Sequence, residues 1–224
     1  MKTRATMAPG KNNGITIICI ADTHELHREV DIPPGDLLIH AGDFTMFSKS
    51  AAAISDFNEW LGELPHQWKI IVPGNHEFFL EADLSKRRLI SNAAVLIDEE
   101  IEVMGLKIWG SPITPQHGGA FGRDSPEDRA RLYARIPDDT NILVTHGPPY
   151  GILDRSPGAF AHAGCMELQQ AVARLKPQLH LFGHVHGAHG MRNVNDTLFV
   201  NAALLGLDGG IGETPIVLRM PRTN

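Results

Sequence analysis

Leu179-His180-Leu181-Phe182-Gly183-His184-Val185-His186 is a short, mostly apolar run that ends in two histidines one residue apart. Short runs rich in Ile, Leu and Val read as buried strands. The same pairing of run and polar cluster recurs upstream. Ile15 to Ile20 leads into Asp22-Thr23-His24, and Leu37 to Ile39 into Gly42-Asp43. Ile70 to Val72 leads into Gly74-Asn75-His76-Glu77, and Ile142 to Val144 into Thr145-His146-Gly147. Groups able to bind metal therefore leave the carboxyl ends of five expected strands, where open α/β sheets place their binding crevices.

The 224 residues suit one domain. A chain of that length buries roughly 70% of its unfolded surface, so it needs no disulfide staple. Cys19 falls inside the first expected strand and reads as a core residue, while Cys165 opens an expected helix. Residues 1–14 are polar and basic and are expected to be a flexible segment ahead of a single domain over 15–224. No stretch has the length of a secretory leader's apolar segment or of a membrane span, so a cytoplasmic location is expected. With formal charge −6 and no dense basic stripe, the chain is not expected to carry a dedicated nucleic-acid surface. The Lys86-Arg87-Arg88 cluster reads as a solvated helix face.

Helices are expected between the strands. Ile54, Phe57, Leu61 and Leu64 share one face of a segment from Ala51 that Pro65 stops. Asp83 to Asn92 is expected to be helical. Ser125-Pro126-Glu127-Asp128 starts a helix running to about Arg135, with a capping serine, proline in the first turn and acids behind it. Leu168, Val172 and Leu175 mark a helix from Met166 that Lys176-Pro177 closes. Ile101 to Val103 and Leu106 to Trp109 form an expected hairpin, and Thr197 to Val200 and Ile216 to Met220 finish as strands. Strands alternating with helices, then strand-only pairings, predict an α/β domain of two packed sheets with helices outside.

Oxygen and imidazole donors without thiolate suit Mn, Fe, Zn, Ni or Co. Seven such groups are too many for one ion that keeps an open position, and they fit two ions sharing one carboxylate. Two ions roughly 3.5–4 Å apart activate water and clamp a phosphoryl group. In this order the five blocks resemble those of the calcineurin-like metallophosphoesterases, from Ile15 to about Val217. Within that superfamily the chain is most similar to the small MPPED-type phosphodiesterases. That likeness rests on Gly42-Asp43-Phe44-Thr45, on Phe57-Asn58-Glu59-Trp60-Leu61-Gly62-Glu63-Leu64-Pro65, on Pro73-Gly74-Asn75-His76-Glu77 and on His146-Gly147-Pro148-Pro149.

The resemblance implies a four-layer α-β-β-α sandwich of two mixed sheets. It implies that Asp22, His24 and His186 hold one divalent ion, that Asp43 bridges, and that Asn75, His146 and His184 hold the second, with Mn²⁺ foremost among the candidate metals. Asn75 and His76 would also contact substrate. His76 would protonate the leaving alkoxide during attack by metal-activated hydroxide on a small phosphodiester. Cyclic nucleotides (2′,3′ or 3′,5′) are the substrate class implied. A phosphomonoesterase and a non-catalytic metal- or nucleotide-binding scaffold are the alternatives, and a homodimer is left open. One departure bears on this choice. Related protein phosphatases follow Gly-Asp with an acid and an arginine and carry arginine before Gly-Asn-His. Here Met46 and Phe47 follow, and Pro73 precedes Gly74. A singly charged diester needs less clamping than a dianionic monoester. Arg155 could compensate for the missing arginines.

Glu77, Asp154, Arg155 and His162 are candidates to support the ligands from behind. His27, His40, His66, His117, His162, His180 and His189 read as structural, with His162 and His189 the foremost exceptions and His40 a core or near-site residue. Trp60, Trp68 and Trp109 read as core.

Overall fold

The computed structural model describes residues 14–47, 50–115 and 119–222. The flexible segment expected over 1–14 lies outside these residues except for Gly14, which begins a strand, and His117 also lies outside them. The first sheet comprises β1 (Gly14–Ile20), β2 (Leu37–His40), β3 (Trp68–Ile71), β4 (Ala94–Val95) and β11 (Ile216–Pro221), in the order β11-β1-β2-β3-β4. The second comprises β5 (Glu99–Val103), β6 (Leu106–Ser111), β7 (Ile142–Thr145), β8 (Leu179–Phe182), β9 (Gly190–Val194) and β10 (Thr197–Asn201), in the order β5-β6-β7-β8-β10-β9. Central pairings are parallel, while β11, β5 and β9 are antiparallel edges. Both sheets are therefore mixed.

Side-chain alternation divides each strand between two apolar layers. Ile15, Ile17 and Cys19 of β1 meet Ile108, Val144 and Leu181 in the layer between the sheets. Ile18 and Ile20 face the other way, onto Ile54, Phe57, Trp60 and Leu61 of α1 (Ala51–Glu63). On the far side, Leu143, Phe182 and Phe199 pack against Tyr133 of α3 (Pro126–Tyr133) and Leu168, Val172 and Leu175 of α4 (Met166–Leu175). The result is the expected α-β-β-α sandwich. Each fully buried Ile or Leu contributes about 1.5–3 kcal/mol to holding it together. Cys19 belongs to the central layer, where burial keeps its thiol protonated.

Local chemistry sets the helix ends. Ser125 Oγ accepts from Asp128 N at 3.2 Å, and α3 stops two residues short of Arg135. Lys176, left-handed at φ 48°, closes α4 ahead of Pro177. Two expectations are corrected. The segment from Asp83 is a 3-10 turn over Leu84–Leu89, preceded by a four-residue helix, α2 (Phe78–Glu81). Leu84 and Leu89 are both exposed, so no apolar stripe draws a longer helix inward. Trp68 is likewise 38% exposed at the start of β3, whereas Trp60 and Trp109 are buried.

Candidate metal centre

Five strands end on one rim of the sandwich, three from the first sheet and two from the second. Hydrogen bonds lace the loops together there. Asp22 N donates to Gly42 O at 2.9 Å, His24 N to Asp43 O at 3.0 Å, and Gly183 N to His146 O at 2.9 Å. Across the sheets, His146 Nδ1 lies 2.9 Å from Ala41 O. Two glycines permit the close approach of loops. A Cβ on Gly183 would stand inside the contact radius of Asp22 Oδ2, and one on Gly74 would stand 2.6 Å from Asp43 N.

The seven expected donors converge. Asp22, His24 and His186 form one group able to hold an ion, and Asp43, His146 and His184 form another. His186 Nε2 lies 3.3 Å from Asp22 Oδ1 and 3.3 Å from His24 Nε2. Asp43 Oδ2 stands between the groups, 3.2 Å from His146 Nε2 and 3.9 Å from His24 Nε2. Asn75 Oδ1 lies 2.8 Å from His146 Nε2. His76 also approaches, its Nε2 3.7 Å from Asp43 Oδ2, and could reach an ion beside His24 and Asp43.

These donors fit divalent cations in the way their unused atoms are left. Each carboxylate spends one oxygen on the backbone: Asp22 Oδ2 accepts from His184 N at 2.8 Å, and Asp43 Oδ1 from His76 N at 2.9 Å. Asp22 Oδ1 is buried without a hydrogen-bond partner. The imidazoles follow the same rule. His24 Nδ1 donates to Thr45 O at 3.2 Å and His146 Nδ1 to Ala41 O, which leaves each Nε2 facing the site. A ring N–H held by a carbonyl is the arrangement that orients metal-binding histidine.

Electrostatics agree. Burial raises the Asp43 carboxyl, but the surrounding His146, His76 and His24 outweigh it and leave the group well below the usual carboxylate range. Burial opposes protonation of His146, yet Asp43 beside it pushes the imidazole up to about 9, so an ion held there would displace the proton on Nε2. Burial carries His184 down to about 4, helped by His146. The rim thus concentrates negative charge that demands positive charge nearby, and divalent ions supply it.

Of the residues expected behind the ligands, Glu77 has the clearest part. Its buried carboxylate accepts from Asp43 N at 2.9 Å, Thr45 N at 2.9 Å, Thr45 Oγ1 at 2.9 Å and Gly74 N at 2.5 Å, so it pins two ligand loops together. Asp154 instead organises its own loop, accepting from Gly151 N at 2.9 Å and Gly164 N at 3.3 Å and pairing with His162 Nδ1 at 2.8 Å. His162 leans on Tyr150 and, among the described residues, pairs with Asp154 rather than with a ligand. Arg155 is exposed. The next residues of its loop, Ser156 and Pro157, press on Gly187 beside His186. His66 bonds Pro33 O at 3.0 Å and His189 bonds Ala203 O at 2.9 Å, as structural histidines do. Sequence reading noted Phe47 only for the arginine it replaces and missed its contact with His76, on which its ring stacks at 3.6 Å between centroids. It also missed Thr23, for which residue type gave no signal.

Comparison with known proteins agrees with this geometry. The family model of calcineurin-like phosphoesterases matches residues 15–188. Metallophosphoesterase domain-containing protein 1 of Homo sapiens is 36% identical over 241 residues, covering 96% of this chain and 73% of that protein. A UPF0046 protein of Caenorhabditis elegans is 36% identical over 223 residues, covering 93% and 76%. The solved structure of TT1561 of Thermus thermophilus shares the fold, with TM-score 0.57 at 13% identity over 94% of this chain and all of that one.

Proposed function

This chain belongs to the calcineurin-like phosphoesterase family, and from that premise we propose that it is a two-metal phosphodiesterase of small diesters, with cyclic nucleotides the natural class. The observation that carries the reading is the placement of Asp43 Oδ2 between the nitrogens of both donor groups. Asp22, His24 and His186 would hold one ion, Asn75, His146 and His184 the other, and Asp43 both; Mn²⁺ is the metal to try first. Bound there, two divalent ions lower the pKa of water and neutralise charge building on phosphoryl oxygens.

The chain's own residues supply the rest. Asn75 and His76 share one turn, which Glu77 clamps through Gly74 N and the backbone of Asp43. His76 faces the rim with its side chain 14% exposed and delivers a proton to the departing alkoxide. Phe47, which follows Gly42-Asp43 where the related protein phosphatases carry an acid and an arginine, shields one face of that ring. An apolar wall suits a diester, whose phosphorus carries one charge and two organic groups. Among the described residues no helix is long and apolar enough to cross a membrane. A cytoplasmic location stays part of the proposal.

The test compares bis-p-nitrophenyl phosphate with p-nitrophenyl phosphate, with Mn²⁺ and after chelation, followed by a cyclic nucleotide panel. Faster diester hydrolysis that chelation abolishes is expected. Preference for the monoester would make the protein a phosphomonoesterase, and tight Mn²⁺ binding without turnover would make it a scaffold. His76→Asn should lower kcat roughly 10²–10⁴-fold while leaving Mn²⁺ affinity near the parent's.

A further inference from the structure

Two buried histidines outside the donor set lie one in each sheet. His40 ends β2 and His180 lies within β8, and both are fully buried. Each packs edge-on against two phenyl rings in its outer layer, His40 on Phe44 and Phe57, His180 on Phe182 and Phe199. Each also meets the hydroxyl of a threonine that adjoins a ligand at, or just past, the end of the neighbouring strand. His40 Nε2 is 3.0 Å from Thr23 Oγ1, between Asp22 and His24. His180 Nε2 is 2.9 Å from Thr145 Oγ1, just before His146.

The surrounding bonds fix the proton on each ring. Gly42 N donates to His40 Nδ1 at 3.2 Å, so that nitrogen is bare and Nε2 carries the hydrogen given to Thr23. Thr145 Oγ1 spends its own hydrogen on Gly147 O at 2.7 Å, closing the turn around His146. It can therefore only accept from His180 Nε2–H. His180 Nδ1 is buried without a hydrogen-bond partner, which costs about 1–3 kcal/mol that a phenylalanine would avoid. A core position filled for stability alone would not keep that orphan atom.

We propose that His40 and His180 are positioning residues that set the ligand loops of the two halves of the metal site, through Thr23 and Thr145. His40 joins the Asp22–His24 loop to the Gly42–Asp43 turn, and His180 holds the turn that aims His146. The inference needs divalent ions at the site but no particular substrate.

The decisive measurements are Mn²⁺ affinity, by competition with a chromophoric chelator, and the urea midpoint of the metal-free protein, both at neutral pH. His180→Phe and Thr145→Val should weaken Mn²⁺ binding roughly 10–100-fold, while His180→Gln and Thr145→Ser stay near the parent. Thr23→Val and Thr23→Ser should repeat the contrast on the other half. The midpoint of His180→Phe should stand at or above the parent's. Parent-like Mn²⁺ affinity in both valine variants overturns the proposal alone. A parent that binds no Mn²⁺ overturns it together with the two-ion reading. Should the variants fail to fold, long-range ¹H–¹⁵N spectra of the parent decide: hydrogen on Nε2 of both rings supports the proposal, and hydrogen on Nδ1 of either overturns it.

Discussion

His180→Phe should make the metal-free protein more resistant to acid than its parent. Burial drives the imidazole of His180 from 6.5 down to about 3. The unfolded chain therefore takes up a proton near pH 6.5 that the folded chain refuses, and stability falls as pH drops through that window. Each pH unit is worth about 1.36 kcal/mol per group, so by about pH 5 this one ring costs about 2 kcal/mol. Phenylalanine has no such proton to refuse. At neutral pH the substitution forfeits one hydrogen bond, worth about 0.5–1.5 kcal/mol, and removes an orphan nitrogen of similar cost, so the two proteins start close together. The parent's own pH curve mixes several groups. His40, also held near about 3 by burial, adds to the acid sensitivity. Glu77, pushed up to about 7 by burial and by Asp43, works the other way, because its folded form gains a proton and stability as pH falls. The difference between variant and parent removes these shared contributions. Urea unfolding of both proteins without metal, from neutral pH to about pH 5, should show a gap that widens in the variant's favour. Parallel curves would refute the reasoning, because they would mean that His180 titrates in the folded protein as it does in the unfolded chain.

Two further outcomes test the rim and the outer layer. In Gly183→Ala the new methyl would stand against Asp22 Oδ2 and 2.5 Å from Ala21 Cβ, so Asp22 must turn away. Mn²⁺ affinity should fall roughly tenfold or more, measured by chelator competition. Phe57→Ala should cost about 3–5 kcal/mol in urea unfolding. Phe57 stacks on Phe44 at 4.3 Å and also carries the edge of His40, so the cavity would open under the Gly42–Asp43 turn.

The sequence displayed the sandwich because its central strands are short apolar blocks, each followed at once by a polar cluster. That juxtaposition survives without any knowledge of partners. Edge elements carry no such mark. β4 is two residues long, too short for any alternation to show, and β9 reads Gly-Met-Arg-Asn-Val with its middle exposed to water. The 3-10 turn at Leu84–Leu89 escaped for a different reason: its leucines invite a helical reading, yet both face solvent. The donor set was legible through residue type and spacing. What holds the donors was not. Glu77 could equally have begun a helix, and only the folded chain shows its carboxylate accepting from Asp43, Thr45 and Gly74 together. His40 read as a core or near-site residue and His180 as structural, but a hydrogen bond to a threonine at or just past the end of the next strand leaves no trace in local sequence.

The backbone at the rim explains why this support is needed. Asp22, His24, Asp43 and His184 all have left-handed backbone, with φ of 54°, 42°, 56° and 70°. Such a conformation costs about 1–3 kcal/mol for a residue other than glycine, least for Asp, Asn and His. The residue types able to bind a metal are thus also those that best tolerate the sharp turn a strand must make to aim a side chain inward. Tolerance alone would not hold four such turns in register. The Asp22 loop persists because its amides bond Gly42 O and Asp43 O, extending the pairing of β1 and β2 beyond their last ladder residues. The β8 turn persists because His184 N is satisfied by Asp22 Oδ2 and Gly183 N by His146 O. Each strained loop is therefore held by another strained loop. Loosening one should release its neighbours, which is why substitutions outside the donor set, at His180 or Thr145, are expected to register in metal affinity before they register in stability.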